Sequence, residues 1–210
     1  MTYINKINIV GLSRLRMGID GKGIRTLVVV ENCPLRCKYC INPYSWNGSR
    51  KSQQFSVKQL YEKLKIDNLY FKATCGGVTF GGGEPLLYAD FIRDFSDYIK
   101  GMWNIGIETS LNVPINNLKK IINKVDFFVI DIKSMNEVIY QQYTSHDNKQ
   151  VKANLTYLMT CFPHDSILVR VPYIPYYTSN NDIENTVNIL KNMGIKNIDI
   201  FNYKLISNKD

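Results

Sequence analysis

The chain has 210 residues, of which 45% are apolar and 21% are charged. This size and composition predict one compact domain, residues 1–210, with a sizeable core. No uninterrupted apolar run reaches the roughly 18 residues that a membrane-spanning helix needs. The first residues, MTYINKINIVGLSRLRMG, lack the apolar segment and the cleavage site of a signal peptide. We therefore expect a cytoplasmic protein without a membrane partner, in which clustered cysteines bind metal or do redox chemistry rather than form disulfides.

The formal net charge is +8, from 26 Lys and Arg residues against 18 Asp and Glu residues. The lysines are spread along the chain, with no block of five or six like charges. This pattern predicts a solvated basic surface, which can also attract an anionic ligand or an acidic partner protein. We expect no nucleic-acid partner.

Short apolar runs rich in β-branched residues alternate with amphipathic stretches along the chain. The runs are continuously apolar, as expected for strands that are buried on both faces of a sheet. Six strands alternating with helices predict an α/β fold with a parallel sheet. The predicted strands lie at residues 26–31, 76–82, 104–109, 126–132, 166–174 and 197–203.

The amphipathic stretches predict five helices between these strands. Ser56 and Gln59 have the spacing of a capping box at the start of the first helix, and Gly101 is a candidate for the end of the second. The apolar stripes of the five helices lie at residues 57–64, 91–99, 115–122, 153–159 and 183–190.

Three cysteines follow the first predicted strand, within the stretch ENCPLRCKYC at residues 31–40. Cys33, Cys37 and Cys40 have the spacing C-x3-C-x2-C, and no second pair of closely spaced cysteines is present. A structural zinc site takes four ligands, and a [4Fe–4S] cluster usually takes four thiolates. Three thiolates therefore predict a cluster with one iron left open to a substrate. An incomplete zinc site or an incidental group of cysteines is the alternative.

This spacing at the end of a first strand, with the aromatic Tyr39 before the last cysteine, resembles the radical S-adenosylmethionine (radical SAM) superfamily. The resemblance implies a partial (β/α)6 TIM-like barrel in which the three cysteines hold a [4Fe–4S] cluster. It implies that the open iron chelates S-adenosylmethionine (SAM), which is cleaved to methionine and a 5′-deoxyadenosyl radical. Tyr39 would then pack against the adenosyl part, and Asn42 is a further candidate cofactor contact. No side chain beyond the cluster and SAM is expected to be catalytic.

The second predicted strand ends in the glycine-rich stretch GGGEPLL at residues 81–87. Consecutive glycines allow backbone to approach a ligand closely, although they also occur in ordinary tight turns. Because the stretch follows the cysteine loop in this order, it resembles the GGEP motif of the superfamily. The resemblance implies that Gly82, Gly83 and Glu84 hold the amino group of SAM.

The next two strand ends carry charged residues, in the stretches IETSLN and FFVIDIKSMN. Both resemble segments of the same family that lie beside the methionine part of SAM. The resemblance implies that the acidic residues and a hydroxyl can also hold a monovalent cation there. The Asp and Lys of DIK are two residues apart on a predicted strand and so face the same side, where a structural ion pair is the alternative. The candidate SAM contacts are Glu108, Thr109, Asp131 and Lys133.

The last two predicted strands depart from the family pattern at two positions. RVPYIP, residues 170–175, resembles the fifth-strand segment, which implies that Arg170 contacts the carboxylate or the ribose of SAM. Tyr176 stands where that segment has glycine. The final strand aligns with a segment ending in a histidine that contacts the cofactor, and Lys204 stands in its place here.

The stretch IDGKGIR, residues 19–25, narrows the resemblance to one branch of the superfamily. It is similar to the DGPGIR stretch in activating enzymes of glycyl radical enzymes, with Lys22 in place of proline. The resemblance implies that Asp20 lies near the glycine-bearing loop of a glycyl radical enzyme. A turn before the strand is the simpler role for these residues.

Together the resemblances predict an anaerobic oxidoreductase that activates a glycyl radical enzyme by taking a hydrogen atom from one of its glycines. Flavodoxin or ferredoxin is the expected electron donor, and we expect the free protein to be a monomer. One alternative is a radical SAM enzyme that acts on a small molecule or a ribosomal peptide. A second is a non-catalytic iron–sulfur or zinc protein, which would need a fourth protein ligand.

The remaining cysteines and both histidines fall outside these motifs. We expect Cys75 and Cys161 to be buried core thiols, because cysteine behaves as a small hydrophobe. We expect His146 and His164 to lie at the surface. No cysteine-rich insertion follows Cys40, and little chain follows the last strand, so we expect neither additional clusters nor the longer tail of full-size activating enzymes.

Overall fold

A single eight-stranded sheet is the scaffold of the computed structural model, which describes residues 5–46 and 51–203. Its strands are β1 (Lys6–Met17), β2 (Ile24–Val30), β3 (Gln53–Ser56), β4 (Gly77–Gly81), β5 (Asn104–Thr109), β6 (Phe127–Asp131), β7 (Ile167–Tyr173) and β8 (Asn197–Asn202). They lie in the order β3-β1-β2-β4-β5-β6-β7-β8. Within the described residues the sheet stays open, with β3 and β8 at its edges.

Six of these strands, β2 and β4 to β8, run parallel to one another and match the six predicted strands. The predicted α/β fold is therefore confirmed. Parallel pairing brings the carboxyl ends of all six strands to one edge of the sheet, which is where α/β folds place their chemistry.

The sequence did not predict the two antiparallel strands, β1 and β3. β1 pairs with both β2 and β3, and its pairing with β2 shifts register between Ile9 and Gly11 and again between Ser13 and Arg16. Leu15 within it has a φ of 55°. These irregularities interrupt the two-residue alternation by which a half-buried strand is recognised.

Seven α-helices are present in the described residues, and five of them match the predictions. The Ser56 hydroxyl accepts a hydrogen bond from the Gln59 amide at 3.3 Å, and the Gln59 side chain accepts one from the Ser56 amide at 2.8 Å, which confirms the capping box. None of the helices in these parts of the chain is long and apolar enough to cross a membrane. The helices are α1 (Val57–Leu64), α2 (Asn68–Thr74), α3 (Ala89–Ile99), α4 (Ile115–Ile121), α5 (Glu137–Thr144), α6 (Lys149–Cys161) and α7 (Asn180–Asn192).

The two additional helices, α2 and α5, are short and were not predicted. α2 spans seven residues and α5 spans eight, so neither repeats an apolar stripe for more than about two turns. α5 begins at Asn136, whose side chain accepts hydrogen bonds from the amides of Val138 and Ile139. Asn136 can be recognised in the sequence as a helix cap only after the helix itself is known.

An aromatic cluster fills the layer between the sheet and α3. Phe95 packs edge-on against Phe80 of β4 with ring centroids 5.7 Å apart, and it also contacts Phe91 and Trp103. Phe80, Phe91 and Phe95 are at most 1% exposed. Burying each such ring contributes about 2–3 kcal/mol, so this layer holds the helix side of the sheet in place.

Arg25 closes the amino-terminal end of the parallel sheet. Its guanidinium is buried and donates hydrogen bonds to the Thr79 hydroxyl at 2.8 Å, the Val78 carbonyl at 2.7 Å, and the side chain and carbonyl of Asn104. It also lies 4.6 Å above the ring of Phe127. Burial lowers the pKa of Arg25 to about 10, so the group stays charged at neutral pH.

The ring of Phe127 occupies the barrel interior because two glycines leave room for it. A Cβ on Gly21 would lie 2.3 Å from the ring, and a Cβ on Gly106 would lie 2.1 Å from it. The DGKG turn therefore packs inside the open barrel, where the Thr79 hydroxyl donates a hydrogen bond to the Asp20 carbonyl at 2.9 Å.

The prediction that Cys75 and Cys161 are core thiols is wrong, because both are exposed. Cys75 ends α2 in a left-handed conformation with a φ of 52°, and Cys161 lies in the last turn of α6. His146 is exposed as predicted, and His164 is half-buried.

We expect the Arg25→Met substitution to lower the free energy of unfolding by about 2–4 kcal/mol, because it leaves several buried acceptors without their donor. Lys120→Met removes the cation of a surface ion pair with Asp90 and should cost less than about 1 kcal/mol. Urea unfolding of the two variants measures the difference. Equal losses would contradict the role given to Arg25.

Candidate active site

The cysteine loop lies directly after β2 and is held by backbone hydrogen bonds to the end of α5. The Arg36 amide donates to the Thr144 carbonyl at 3.0 Å, and the Lys38 amide donates to the Tyr143 carbonyl at 3.1 Å. Leu35, 1% exposed, anchors the middle of the loop in the core. The three thiols at Cys33, Cys37 and Cys40 therefore have a fixed base, although α5 lies a hundred residues further along the chain.

The three thiols are free, half-buried and within electrostatic range of each other. Burial, followed by the nearby Glu84 carboxylate, raises the pKa of Cys33 to about 12. Burial also raises the pKa of Cys37 and Cys40, while the ammonium group of Lys133 opposes that rise at both. The loop thus places two of its three thiols, Cys37 and Cys40, near a cation that favours their thiolate forms.

The glycine-rich loop after β4 packs against the start of the cysteine loop. A Cβ on Gly83 would lie 2.4 Å from the Asn32 carbonyl oxygen, and Gly82 has a φ of 90°. Only glycine fits these two positions without strain. The Gly82 carbonyl accepts a hydrogen bond from the Asn42 side chain at 3.3 Å, so the two predicted motifs are in direct contact.

Glu84 is 1% exposed and joins the glycine-rich loop to the end of β5. Its carboxylate accepts hydrogen bonds from the Thr109 hydroxyl at 2.6 Å, the Ser110 hydroxyl at 2.7 Å, the Ser110 amide at 3.0 Å and the Leu86 amide at 3.2 Å. Burial raises its pKa, and these four donors oppose that rise. Both predicted SAM contacts, Glu84 and Thr109, are thus engaged with each other in this structure.

Two ion pairs lie above Phe127 in the barrel interior. The Arg170 guanidinium contacts Glu108 at 2.7 Å and also donates a hydrogen bond to the Ile19 carbonyl at 2.6 Å. The Lys133 ammonium lies 3.6 Å from the Asp131 carboxylate. The two residues were predicted to lie on one strand, but β6 ends at Asp131, so Lys133 lies beyond the end of the strand. Burial lowers the pKa of Lys133 most, but Asp131, together with Cys37, Tyr143 and Tyr203, more than offsets this and holds the pKa above its usual value.

Asp20 is buried at 3% exposure and pairs with Arg16 of β1 through both of its carboxylate oxygens. The Asp20 carboxylate is therefore buried and paired in this structure, and its contact with a partner loop stays a prediction.

Three tyrosines that the sequence did not identify surround the predicted adenosyl contact. The ring centroid of Tyr39 lies 6.0 Å from that of Tyr143, 5.8 Å from that of Tyr177 and 6.4 Å from that of Tyr203. The Tyr203 hydroxyl also donates a hydrogen bond to the Tyr39 carbonyl, which ties the end of β8 to the cysteine loop. The high tyrosine content of the chain, 14 residues, was the only feature of the sequence that pointed to this cluster. Lys204 lies outside the described residues.

Two residues other than glycine, one after β5 and one after β7, have a left-handed backbone. Leu111 has a φ of 58° and Tyr176 has a φ of 68°. Leu111 is fully buried, and its carbonyl accepts a hydrogen bond from Asn154 at 2.8 Å. Tyr176 is 90% exposed. A left-handed backbone costs a residue other than glycine about 1–2 kcal/mol, so both positions are conformationally strained.

The comparisons with known proteins agree with this geometry. The family model described as "Radical SAM superfamily" matches residues 27–190. The pyruvate formate-lyase-activating enzyme of Clostridium pasteurianum is 31% identical over 203 residues, which cover 95% of this chain and 79% of that enzyme. This chain belongs to the radical SAM family of glycyl radical enzyme activating enzymes.

Other relatives of this radical SAM chain are named as activating enzymes too. The (2S)-3-sulfopropanediol dehydratase activating enzyme of Klebsiella oxytoca is 26% identical, with 82% of this chain and 74% of that enzyme covered. Among solved structures, Streptococcus suis SuiB bound to its precursor peptide SuiA has a TM-score of 0.65 at 15% identity. That match covers 88% of this chain and 41% of SuiB, so the chain spans about two fifths of SuiB, and the likeness supports the partial barrel fold alone.

The cysteine loop fits the [4Fe–4S] cluster that the radical SAM family implies. In the described part of the chain, no three His, Cys, Asp or Glu side chains converge on a point suited to one metal ion. The loop nevertheless carries three free, half-buried thiols within electrostatic range of each other, and thiolates are the ligands of such a cluster. Cys33, Cys37 and Cys40 would hold that cluster.

We expect Tyr176→Gly to raise the free energy of unfolding by about 1 kcal/mol, because glycine adopts a positive φ without steric cost. Tyr176→Ala removes the same ring but keeps the unfavourable φ, and should bring no such gain. Urea denaturation distinguishes the two variants. A gain in the alanine variant equal to that of glycine would assign the effect to the exposed ring and not to the backbone.

We expect Glu84→Gln to destabilise the protein by about 2 kcal/mol, because an amide group then faces donors that require an acceptor. Glu62→Gln on the surface of α1 is the matched control and should change stability by less than about 0.5 kcal/mol. Thermal and urea unfolding measure both. If the two changes have the same effect, the Glu84 carboxylate does not hold the β4 and β5 loops together.

Proposed function

We propose that this chain activates a glycyl radical enzyme by forming a 5′-deoxyadenosyl radical from SAM and using it to take a hydrogen atom from a glycine of that enzyme. The observation that carries the proposal is the convergence at one sheet edge of the three-thiol loop, the GGGE loop and the interior ion pairs. When bound, a reduced [4Fe–4S] cluster supplies one electron to the sulfonium of SAM, and methionine leaves as the carbon–sulfur bond breaks.

The residues of the chain supply binding and orientation for this reaction. Backbone at Gly82 and Gly83 lies closest to the cysteine loop and is free of side chains, so it is the surface against which the methionine end would rest. Glu84 does not need to meet the amino group itself, because it fixes the position of that backbone through Thr109 and Ser110. Precise placement of the reacting bond is the main contribution that a protein makes to such a step.

The tyrosine group around Tyr39 would shield the adenosyl part from water. Its rings come from the cysteine loop, α5, the loop after β7 and the end of β8. Aromatic rings offer a flat apolar surface of the kind on which a nucleobase stacks. Asp131 and Lys133, which carry opposite charges, would face the zwitterionic methionine end.

We propose a glycyl radical enzyme as the partner, because the relatives include activating enzymes of pyruvate formate-lyase and of a diol dehydratase. We propose a flavodoxin or ferredoxin as electron donor, since the net charge of +8 suits an acidic partner. We also propose that the protein works in the cytoplasm under anaerobic conditions and that it is monomeric when free.

Anaerobic reconstitution with iron and sulfide tests the SAM chemistry. The reduced wild-type protein should form 5′-deoxyadenosine from SAM, and Cys37→Ala should lose at least about 99% of that activity, because a thiolate ligand is missing. Cys75→Ala and Cys161→Ala remove exposed thiols away from the site and should keep both the iron content and the activity. Equal product from wild type and Cys37→Ala would refute the proposed chemistry.

Electron paramagnetic resonance with a panel of folded glycyl radical enzymes tests the partner. A glycyl doublet that depends on this protein and on SAM would support the proposal and identify the enzyme. If SAM is cleaved but no panel member gains the doublet, whereas a small molecule or peptide stimulates 5′-deoxyadenosine formation, the activating role is wrong.

A further inference from the structure

We propose that the Tyr143 hydroxyl donates a hydrogen bond to the sulfur of Cys37 when that thiolate is a ligand of the [4Fe–4S] cluster, and that this bond makes the cluster easier to reduce. The inference rests on the proposed function and deepens it, because it assigns a further side chain to the electron-transfer step. It concerns the hydroxyl alone, since the ring keeps its contact with Tyr39.

The hydroxyl of Tyr143 is buried without a hydrogen-bond partner. Tyr143 lies in the last turn of α5 and is 0% exposed, and its hydroxyl oxygen forms no hydrogen bond. Among the described residues the other such side-chain atom is Asn148 Oδ1, but the amide nitrogen of Asn148 still donates to two carbonyls. A buried polar group without a partner destabilises the fold, and native proteins keep few of them. The Tyr143 hydroxyl is therefore available to a group that binds beside it.

The surroundings of this hydroxyl are those of the proposed cluster site. Burial raises the pKa of Tyr143 most, and the ammonium group of Lys133 opposes that rise. Tyr203 and the Cys37 thiolate raise the pKa further, so all three groups lie within electrostatic range of the hydroxyl. The hydroxyl therefore keeps its proton at neutral pH and can donate it to a hydrogen bond.

Two neighbouring tyrosine hydroxyls are already engaged within the protein. The Tyr203 hydroxyl donates its proton to the Tyr39 carbonyl, and it forms no hydrogen bond of normal geometry with Tyr143. The Tyr140 hydroxyl, one turn earlier on α5 than Tyr143, accepts a hydrogen bond from the Asn112 side chain at 3.1 Å. Tyr143 is thus the one member of this group of three whose hydroxyl has no partner among the described residues.

The cysteine loop and the end of α5 are joined, which keeps Cys37 and Tyr143 together. The Lys38 amide, next to Cys37 in the chain, donates to the Tyr143 carbonyl at 3.1 Å. On the other side of Lys38, the ring of Tyr39 packs edge-on against the ring of Tyr143, with centroids 6.0 Å apart. A donor held in this way is already in place before the cluster binds.

The consequence is a higher reduction potential of the cluster. Hydrogen bonds to the sulfurs are among the features that set this potential, and a donor stabilises the more negative, reduced cluster more than the oxidised one. The proton stays on the Tyr143 oxygen, and one electron passes from the proposed flavodoxin or ferredoxin to the cluster. Tyr143 therefore helps that donor to deliver the electron.

A redox titration of the anaerobically reconstituted protein without SAM, followed by electron paramagnetic resonance, tests the inference. Tyr143→Phe removes one oxygen and keeps the ring. At a fixed potential its ratio of reduced to oxidised cluster should be about threefold lower than in the wild type, a shift of about 30 mV at 59 mV per tenfold change. Tyr140→Phe, which is equally buried on the same helix, is the matched control and should keep the wild-type potential. An unchanged potential in Tyr143→Phe, or an equal fall in Tyr140→Phe, would overturn the inference.

Thermal unfolding of the full chain without iron is the second measurement. Tyr143→Phe should melt at or above the wild-type temperature, because it loses no hydrogen bond. Tyr203→Phe should melt at a lower temperature, because the Tyr39 carbonyl loses its donor. If Tyr143→Phe melts as low as Tyr203→Phe, the hydroxyl is bonded within the protein and the inference is wrong. If Tyr143→Phe does not fold, Tyr143→Met, which fills the space with a flexible apolar chain, replaces it in both measurements.

The inference and the proposed function fail in different ways. A wild type that assembles the cluster but cleaves no SAM refutes the proposed function, and the redox titration then decides the inference alone. A wild type that cleaves SAM, but whose potential does not respond to Tyr143→Phe, refutes the inference alone. A chain that assembles no four-iron cluster refutes both.

Discussion

The buried carboxylate of Glu84 is the contact on which the arrangement of the site depends. Four hydrogen bonds converge on it from the turn that follows β5 and from its own loop, so the ends of β4 and β5 are fixed relative to each other. Gly83 then brings the same loop against Asn32, at the start of the cysteine loop. A displacement at any of the three loops would leave a buried charge short of donors, and that cost keeps them together.

The two ends of the barrel use arginine in different ways. At the amino-terminal end, Arg25 is surrounded by carbonyl and hydroxyl acceptors and has no carboxylate within hydrogen-bonding distance among the described residues. Toward the carboxyl ends of the strands, Arg170 and Lys133 each face a carboxylate. The first arrangement closes the fold, whereas the second places charges of opposite sign side by side at the strand ends.

The elements that sequence patterns predicted correctly are those whose signal is local. The parallel strands other than the largely exposed edge strand β8 are short apolar runs, and the Ser56 capping box lies within four residues, so both can be recognised without knowing their neighbours. β1 and β3 depend on pairing with each other, and α5 is too short to show a stripe. The buried placement expected for Cys75 failed because a short helix that the sequence did not reveal ends there and turns the residue outward.

By itself the sequence determined the chemistry that this protein carries: the three-thiol spacing, the GGGE loop, the strand-end charges and the family to which they belong. Only the tertiary structure decided which of those groups already form hydrogen bonds or ion pairs within the protein. Glu108 meets Arg170 across 62 residues, and Tyr203 meets Tyr39 across 164. Such contacts depend on strand order and on side-chain length, and neither of these produces a periodic pattern in the sequence. A motif identifies residue types that can bind a ligand, whereas folding sets how much of their hydrogen-bonding capacity and charge remains available for it.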